Sequence, residues 1–458
     1  MQRDGESRAL IGCYNITVSG FYVENFGCRA TQADGAAIER QLRERGLDRA
    51  ADPELAEVVV LNSCTVTASA DQDVRAAIRR IHRNNPECRI LVTGCYAQRA
   101  PQELAALPGV SWVVGNSHKQ QVGDVVCGPA VVSTIAPAEG GRSAPIVVGD
   151  IFAHTELLAA PVFGAGAEKT RPNLKVQDGC DNRCSFCIIP SVRGHSRSLP
   201  LKEVLAQVES LVESGYREVV ISGINLGRWG RDFDKPERFA GLVRAIMERT
   251  PLEKLRISSV EPMDWSDELI ALVAGCERIA KHAHAPMQSG SDRVLRAMHR
   301  KYRPWHYAEK IRRIRAAMPA AAIGADVMVG FPGETDADFE ETRRMIEELP
   351  LTYLHVFTYS SRPGTRSAAM PRQVPVQAAR ERNRVLRELA ARKKRAFMES
   401  FVGREVQAIT LSVGDENFTE ALTGNYLKMR LAGRHGANQW VVARVERVSG
   451  EELVGSVA

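Results

Sequence analysis

Three cysteines, Cys180, Cys184 and Cys187, stand at C-x3-C-x2-C spacing in the string CDNRCSFC. Soft thiolates this close together suit zinc or an iron–sulfur cluster. Their number separates the two: a structural zinc site takes four ligands, whereas a 4Fe-4S cluster held by three leaves one iron open to a substrate. Only His195 follows at a spacing that could complete a zinc site, so the reading favours the open iron. A second set, Cys28, Cys64 and Cys95, ends the apolar runs FYVENFGC, VVVLNSC and RILVTGC. In right-handed β-α-β units the C-terminal ends of parallel strands share one edge of the sheet, so thiols far apart in sequence can converge there. Three buried core cysteines are the alternative. Cys13, Cys88, Cys127 and Cys276 share no such pattern and read as ordinary.

The elements that must position these thiols follow from periodicity. From Phe21 to about Ala130, apolar runs alternate with helical patterns, the signature of a parallel sheet with covering helices. An Ala/Gly/Pro-rich stretch, 137–172, reads as a linker carrying one strand, IVVGDIF. Six apolar runs then recur between Leu174 and Ser360, and each of the first five precedes a helical pattern. In one helix Val204, Leu205, Val208, Leu211 and Val212 form the stripe of a helix covering a sheet. Six β/α units imply an open barrel or a doubly wound sheet with functional residues at the strands' C-terminal ends. A basic helix at 377–398 and short alternating strands from Phe401 onward complete the chain. The expected fold class is α/β. An N-terminal parallel-sheet domain (20–136) and the linker (137–172) lead to a central open (β/α)6 barrel (173–398) and a small C-terminal β-barrel (399–458).

Composition narrows the classes. The 458 residues suffice for about three domains. With 44% hydrophobic and 25% charged residues, the chain has the balance of a globular protein. No apolar run has the length of a membrane helix, and the first residues show no cationic segment followed by a clean apolar one, so neither a membrane partner nor a secretory signal is expected. The expected location is cytoplasmic, where thiols stay reduced and ten cysteines suggest metal or redox chemistry rather than a disulfide framework. A net charge of +6 permits a polyanionic partner without demanding one.

The triplet, directly after the run NLKVQDG, resembles that of radical S-adenosylmethionine (SAM) enzymes. Further matches follow in barrel order: SGIN (Ser222 to Asn225), Glu261 in SSVEP, and VMVGFPGE (Val327 to Glu334). The two cysteine sets together with PSVRGHSRS resemble the methylthiotransferase family of those enzymes, as do the strings GINLGRWG, MQSGSDRVLRAMHRKY and FTYSSRPGT. ALTGNYLKMRL is similar to the branch acting on N6-threonylcarbamoyladenosine in tRNA. Two spellings depart from the family: Thr31 stands where Asn is usual, and HAHAPMQSGS varies the segment around Gln288.

The resemblance implies a radical SAM core between a domain holding a second 4Fe-4S cluster and a terminal RNA-binding TRAM barrel. It implies that Cys180, Cys184 and Cys187 hold the SAM-cleaving cluster and that Cys28, Cys64 and Cys95 hold a sulfur-bearing one. Phe186, Ser222, Gly223, Asn225, Glu261, Gln288 and Val329 are implied SAM contacts. The chemistry is centred on the cofactor, because adenine C2 carries an unactivated hydrogen that acid–base catalysis cannot replace. Arg193 and Arg197 could hold the threonylcarbamoyl carboxylate or a phosphate, or could simply stabilise their loop. The basic helices, Val74 to Arg83 and Ala378 to Arg395, could track RNA backbone or be solvated faces, and Tyr426 or Trp440 could stack on bases. The implied partners are tRNA, an electron donor such as flavodoxin or ferredoxin, and an unassigned sulfur donor. Two other readings share these features: a methylthiotransferase of a ribosomal protein aspartate, and a non-catalytic iron–sulfur RNA-binding or redox-sensing protein.

Overall fold

The computed structural model describes residues 20–128, 143–154, 157–158 and 171–458. The N-terminal strands β1 (Gly20–Asn25), β2 (Asp48–Arg49), β3 (Val58–Ser63), β4 (Arg89–Gly94), β5 (Val110–Gly115) and β6 (Ile146–Val147) form one sheet in the order β2-β1-β3-β4-β5-β6. All its pairings are parallel. Side chains alternate between its two faces: Val59, Leu61, Ile90 and Val92 pack into one core, and Val58, Val60, Leu91 and Val114 into another. A sheet buried on both faces needs near-continuous apolar strands, which is what the sequence supplies. Helices α1 (Arg29–Glu44), α2 (Ala68–Asn84) and α3 (Cys95–Arg99) follow β1, β3 and β4. Much of the segment expected as a linker lies outside the described residues, as does Cys13. Its expected strand belongs to the first sheet: β6 pairs with β5, so that sheet reaches past the boundary expected at 136.

The central lobe carries six parallel strands, β7 (Asn173–Asp178), β9 (Glu218–Gly223), β10 (Lys254–Ile257), β11 (His282–His284), β12 (Ala322–Val329) and β13 (Tyr353–Thr358). Single bridges, Leu255 to Ile279 and Ser259 to His284, link β10 to the β11 side. The arc is therefore an open barrel. A two-residue strand, β8 (Arg197–Ser198), pairs antiparallel with β7 just beyond the cysteine loop. The expected stripe on the helix Leu201–Glu213 is buried at Val204, Leu205, Val208 and Leu211, with Val212 partly buried.

The helix Val376–Glu399 leads into β14 (Glu405–Gly414), β15 (Phe418–Thr423), β16 (Lys428–Ala432), β17 (Trp440–Ser449) and β18 (Glu452–Val457), a closed five-stranded barrel. ALTGNYLKMRL folds as the β15–β16 hairpin with Asn425 and Tyr426 in its turn. Arg256 donates to the carbonyls of Thr423 and Gly424, both at 3.2 Å, and thereby fixes that turn against the central lobe. Among the described residues no helix is long and apolar enough to cross a membrane.

Candidate active site

Cys28 precedes α1, Cys64 follows β3 and Cys95 opens α3. Since β1, β3 and β4 are parallel neighbours, their C-terminal ends bring the three thiols to one edge. Gly27, at φ +102°, lies so close to Cys64 that an added Cβ would stand 2.7 Å from the Cys64 Cβ. Only glycine combines that backbone conformation with that approach. Burial, and then the charges of Cys95 and Cys28, push the Cys64 thiol up to about 12. A desolvated thiol whose ionisation its neighbours oppose suits a metal centre, whose positive charge reverses the opposition. Asn116 Nδ2 donates to Cys95 Sγ at 3.5 Å and to the Val192 carbonyl at 2.7 Å. Cys95 thus packs against the segment that follows Cys187.

In the set Cys180, Cys184 and Cys187, Asn225 Nδ2 donates to Cys180 Sγ at 3.5 Å and Arg300 Nη1 to Cys184 Sγ at 3.2 Å. Burial, then Cys184, pushes the Cys187 thiol up to about 12. Burial also raises Cys180. N–H donors aimed at clustered sulfurs are the outer contacts that orient thiolate ligands and tune a cluster. Gln177, at the end of β7, accepts the Asn225 N–H at 2.7 Å and donates to the carbonyls of Asp178 and Gly179, which couples the cysteine loop to the next strand end.

A cavity of about 690 Å³ reaches Cys28 of one set and Asn225, the partner of Cys180 of the other. Cys28, Ser222, Gly223, Asn225 and Glu261 all line it. The buried Ser222 Oγ and Asn225 Oδ1 have no hydrogen-bond partner among the described residues, which is what a polar cofactor seated beside them would supply. These donors, orphaned oxygens and thiols fit a 4Fe-4S cluster with SAM. Phe186, Gln288 and Val329 do not line this cavity: Phe186 packs on the barrel core, Val329 is buried in it, and Gln288, at φ +63°, bridges to Val327.

Arg193 and Arg197 correct an expectation, since neither is presented to a substrate. Arg193 donates to Asp178 at 2.9 Å and to Asp34 at 3.0 Å, and Arg197 donates to the carbonyls of Arg193 and His195. In the same buried cluster Lys119 pairs with Asp34 at 2.8 Å and Lys175 with both aspartates. Both arginines face inward because the two carboxylates need counter-charges there. The basic helices are partly neutralised within the chain: Arg75 pairs with Glu103, Arg80 with Glu24, Arg382 with Glu334 and Asp336, and Arg384 with Glu381 and Glu388. Trp440 lies under the Lys254 ammonium.

Sequence reasoning missed several residues in or beside the cavity. Arg300 is one positioning residue, since it pairs with Glu261 as well as Cys184. Asp326 Oδ1 lies 3.3 Å from His284 Nε2 and 3.2 Å from His355 Nδ1, a grouping whose ligand atoms all stand within 4.8 Å and could hold a metal ion. Burial would raise Asp326, but hydrogen bonds from the two histidines overcome it and hold the carboxyl well below the usual range. Arg29, His282, Tyr353 and Tyr426 line the same wall. Burial and the nearby Arg256 hold His282 neutral, well below the usual imidazole range. Strand-end position was the available signal for His284 alone, since His282 opens β11 and Asp326 lies inside β12; Tyr426 was legible only as a possible base-stacker.

The comparisons agree with this architecture. A model of the Radical SAM superfamily matches residues 174–346, and one of Uncharacterized protein family UPF0004 matches residues 20–115. Threonylcarbamoyladenosine tRNA methylthiotransferase MtaB of Aquifex aeolicus (strain VF5) is 36% identical over 90% of this chain and 96% of its own length. Its namesake in Bacillus subtilis (strain 168) is 36% identical over 89% of each chain. The tRNA-2-methylthio-N(6)-dimethylallyladenosine synthase of Thermobifida fusca (strain YX) is 34% identical over 85% of this chain and 77% of its own. Among solved structures, the radical SAM methyltransferase TsrM from Kitasatospora setae superposes with a TM-score of 0.55 at 15% identity, covering 74% of this chain and 73% of its own, a likeness of fold alone. The chain belongs to the radical SAM methylthiotransferase family, in the branch of the threonylcarbamoyladenosine tRNA methylthiotransferases.

Proposed function

We infer that the protein modifies tRNA, converting N6-threonylcarbamoyladenosine beside the anticodon to its 2-methylthio form. The observation that carries this reading is one cavity lined at once by Cys28 of the N-terminal set and by Ser222, Asn225 and Glu261, with Asn225 bonded to Cys180 of the other set. Membership of the radical SAM superfamily brings a 4Fe-4S cluster and SAM. Cys180, Cys184 and Cys187 are the proposed ligands of that cluster, and Cys28, Cys64 and Cys95 those of a second, sulfur-bearing one. When bound, these groups supply a carbon radical able to take the C2 hydrogen of adenine, and the sulfur and methyl that replace it.

The chain's own part is to position and to exclude water. Asn225 and Arg300 orient two thiolates, and Glu261 fixes Arg300. The free oxygens of Ser222 and Asn225, with the Gly223 backbone, are the proposed grip on the polar end of SAM. Phe186, Gln288 and Val329 are proposed to support the wall from behind. The terminal barrel is the proposed tRNA-docking unit, and a flavodoxin- or ferredoxin-type protein the proposed electron source. The ribosomal-protein and sensor alternatives gain no support, since the relatives named above are tRNA enzymes.

Nucleoside mass spectrometry of tRNA from a deletion strain tests the reading. Loss of 2-methylthio-N6-threonylcarbamoyladenosine, restored by the intact gene, is expected. An unchanged level of that nucleoside would refute it.

A further inference from the structure

One stretch of the cavity wall gathers side chains from all three lobes. Arg29, the first residue of α1, donates from Nη2 to the hydroxyl of Tyr426 in the β15–β16 turn at 3.3 Å. The Tyr426 ring stands 5.0 Å from His282 and 6.4 Å from Tyr353, and His282 Nε2 lies 2.6 Å from the Tyr353 hydroxyl. The turn is held for this task. Tyr426 adopts φ +68°, which non-glycine residues disfavour, while Asn425 donates to the Ala320 carbonyl at 3.1 Å.

The charges on this wall are unevenly satisfied. Glu261 is paired with Arg300, and Asp326 with His284 and His355. Arg29 is the one Arg or Lys lining the cavity, and among the described residues it has no carboxylate partner. An unpaired guanidinium flanked by phenol hydroxyls and a neutral imidazole is a receptor for an anion, and its planar donors match a carboxylate. Arg29 also adjoins Cys28. A purine whose C2 meets sulfur delivered near Cys28 carries its N6 substituent on the same ring, within reach of an arginine side chain.

We propose that Arg29 and Tyr426 form the subsite for the carboxylate of the substrate's N6 substituent, so that the N-terminal domain and the terminal barrel read the modified base jointly. This rests on the substrate assigned above. Tyr426 positions the guanidinium and closes the subsite, and Tyr353 and His282 form its floor.

The test compares two anticodon stem-loop RNAs with reconstituted full-length enzyme. One carries N6-threonylcarbamoyladenosine and the other its methyl ester, which lacks the negative charge. The wild type should prefer the free carboxylate by roughly 10- to 100-fold in kcat/KM, the range of a charge-assisted hydrogen bond. Arg29→Gln should reduce that ratio to below about 3-fold, Arg29→Lys should keep part of it, and Tyr426→Phe should narrow it. An unchanged ratio in Arg29→Gln, or an equal loss on both RNAs, would assign Arg29 to RNA phosphate or SAM and overturn the proposal. Iron and sulfide are measured alongside because Arg29 adjoins a proposed ligand. If Arg29→Gln holds no iron, Tyr426→Phe carries the test, and an unchanged ratio there overturns the joint subsite. Failure of the wild type to modify either RNA would instead refute the substrate assignment, and the subsite with it.

Discussion

Replacing Asp34 with asparagine removes one charge from the buried cluster that ties α1 to the central lobe. The Asp34 side chain is 2% exposed and accepts from Lys119, Lys175 and Arg193. Lys175 and Arg193 would keep Asp178, but Lys119 has no other carboxylate partner among the described residues. Leaving one buried charge uncompensated costs about 3–5 kcal/mol. A second estimate comes from titration. Burial raises the Asp34 carboxyl, yet Lys119, Lys175 and Arg193 outweigh it and bring the carboxyl from 3.8 to about 2. That shift is worth roughly 2 kcal/mol. Because the folded value is depressed, this stability is present above about pH 4 and is lost as pH falls through about 2. Asp34 and Lys119 lie in the first lobe and the other three residues in the second, so the loss should fall on their coupling. Hydrogen exchange should quicken in α1 and β7, and urea unfolding should begin earlier, by an amount within that range. A loss below about 1 kcal/mol, or an acid transition between pH 4 and 2 as large in Asp34→Asn as in the wild type, would refute the account of this cluster.

Three further predictions follow from the site. Replacing Cys28, Cys64 and Cys95 with alanine should lower iron by about half and abolish methylthiolation while leaving reductive SAM cleavage measurable, whereas replacing Cys180, Cys184 and Cys187 should abolish both. Total loss of iron from either folded variant would mean one shared site. Arg300→Gln removes the N–H to Cys184 and the partner of Glu261, so SAM cleavage should slow by about 10-fold or more. A rate equal to wild type would deny Arg300 its positioning role. At Gly324 an added Cβ would stand 2.0 Å from the Tyr353 ring, so Gly324→Ala should displace that ring and cut kcat/KM for RNA by at least about 10-fold with iron content unchanged. Equal RNA kinetics would show that Tyr353 does not shape the pocket.

Some features were fixed by residues close together in the chain. The spacing of Cys180, Cys184 and Cys187 confines three thiols to one loop whatever the fold around them, and the 3.6-residue stripe of the helix Leu201–Glu213 determined which face it buries. The apolar runs marked the six barrel strands, even though β7 and β10 alternate apolar residues with the buried polar residues Asn173, Lys175, Gln177, Lys254 and Arg256. The convergence of Cys28, Cys64 and Cys95 was half legible: strand ends predicted it, but it depended on β1, β3 and β4 being neighbours in the sheet.

The sequence by itself therefore determined the family, the order of the three lobes and the two cysteine trios. Tertiary structure alone decided which charges are spent internally and which face the cavity. Arg193 looked free beside the cluster loop, yet it is claimed by Asp34, 159 residues away. Tyr426 looked like a surface base-stacker, yet it meets Arg29 across 397 residues. The physical reason is that covalent spacing constrains only near neighbours. The partner that neutralises a buried charge, or the side chain that completes a pocket, is whichever group the folded chain brings within a few ångströms, and desolvation makes that choice binding.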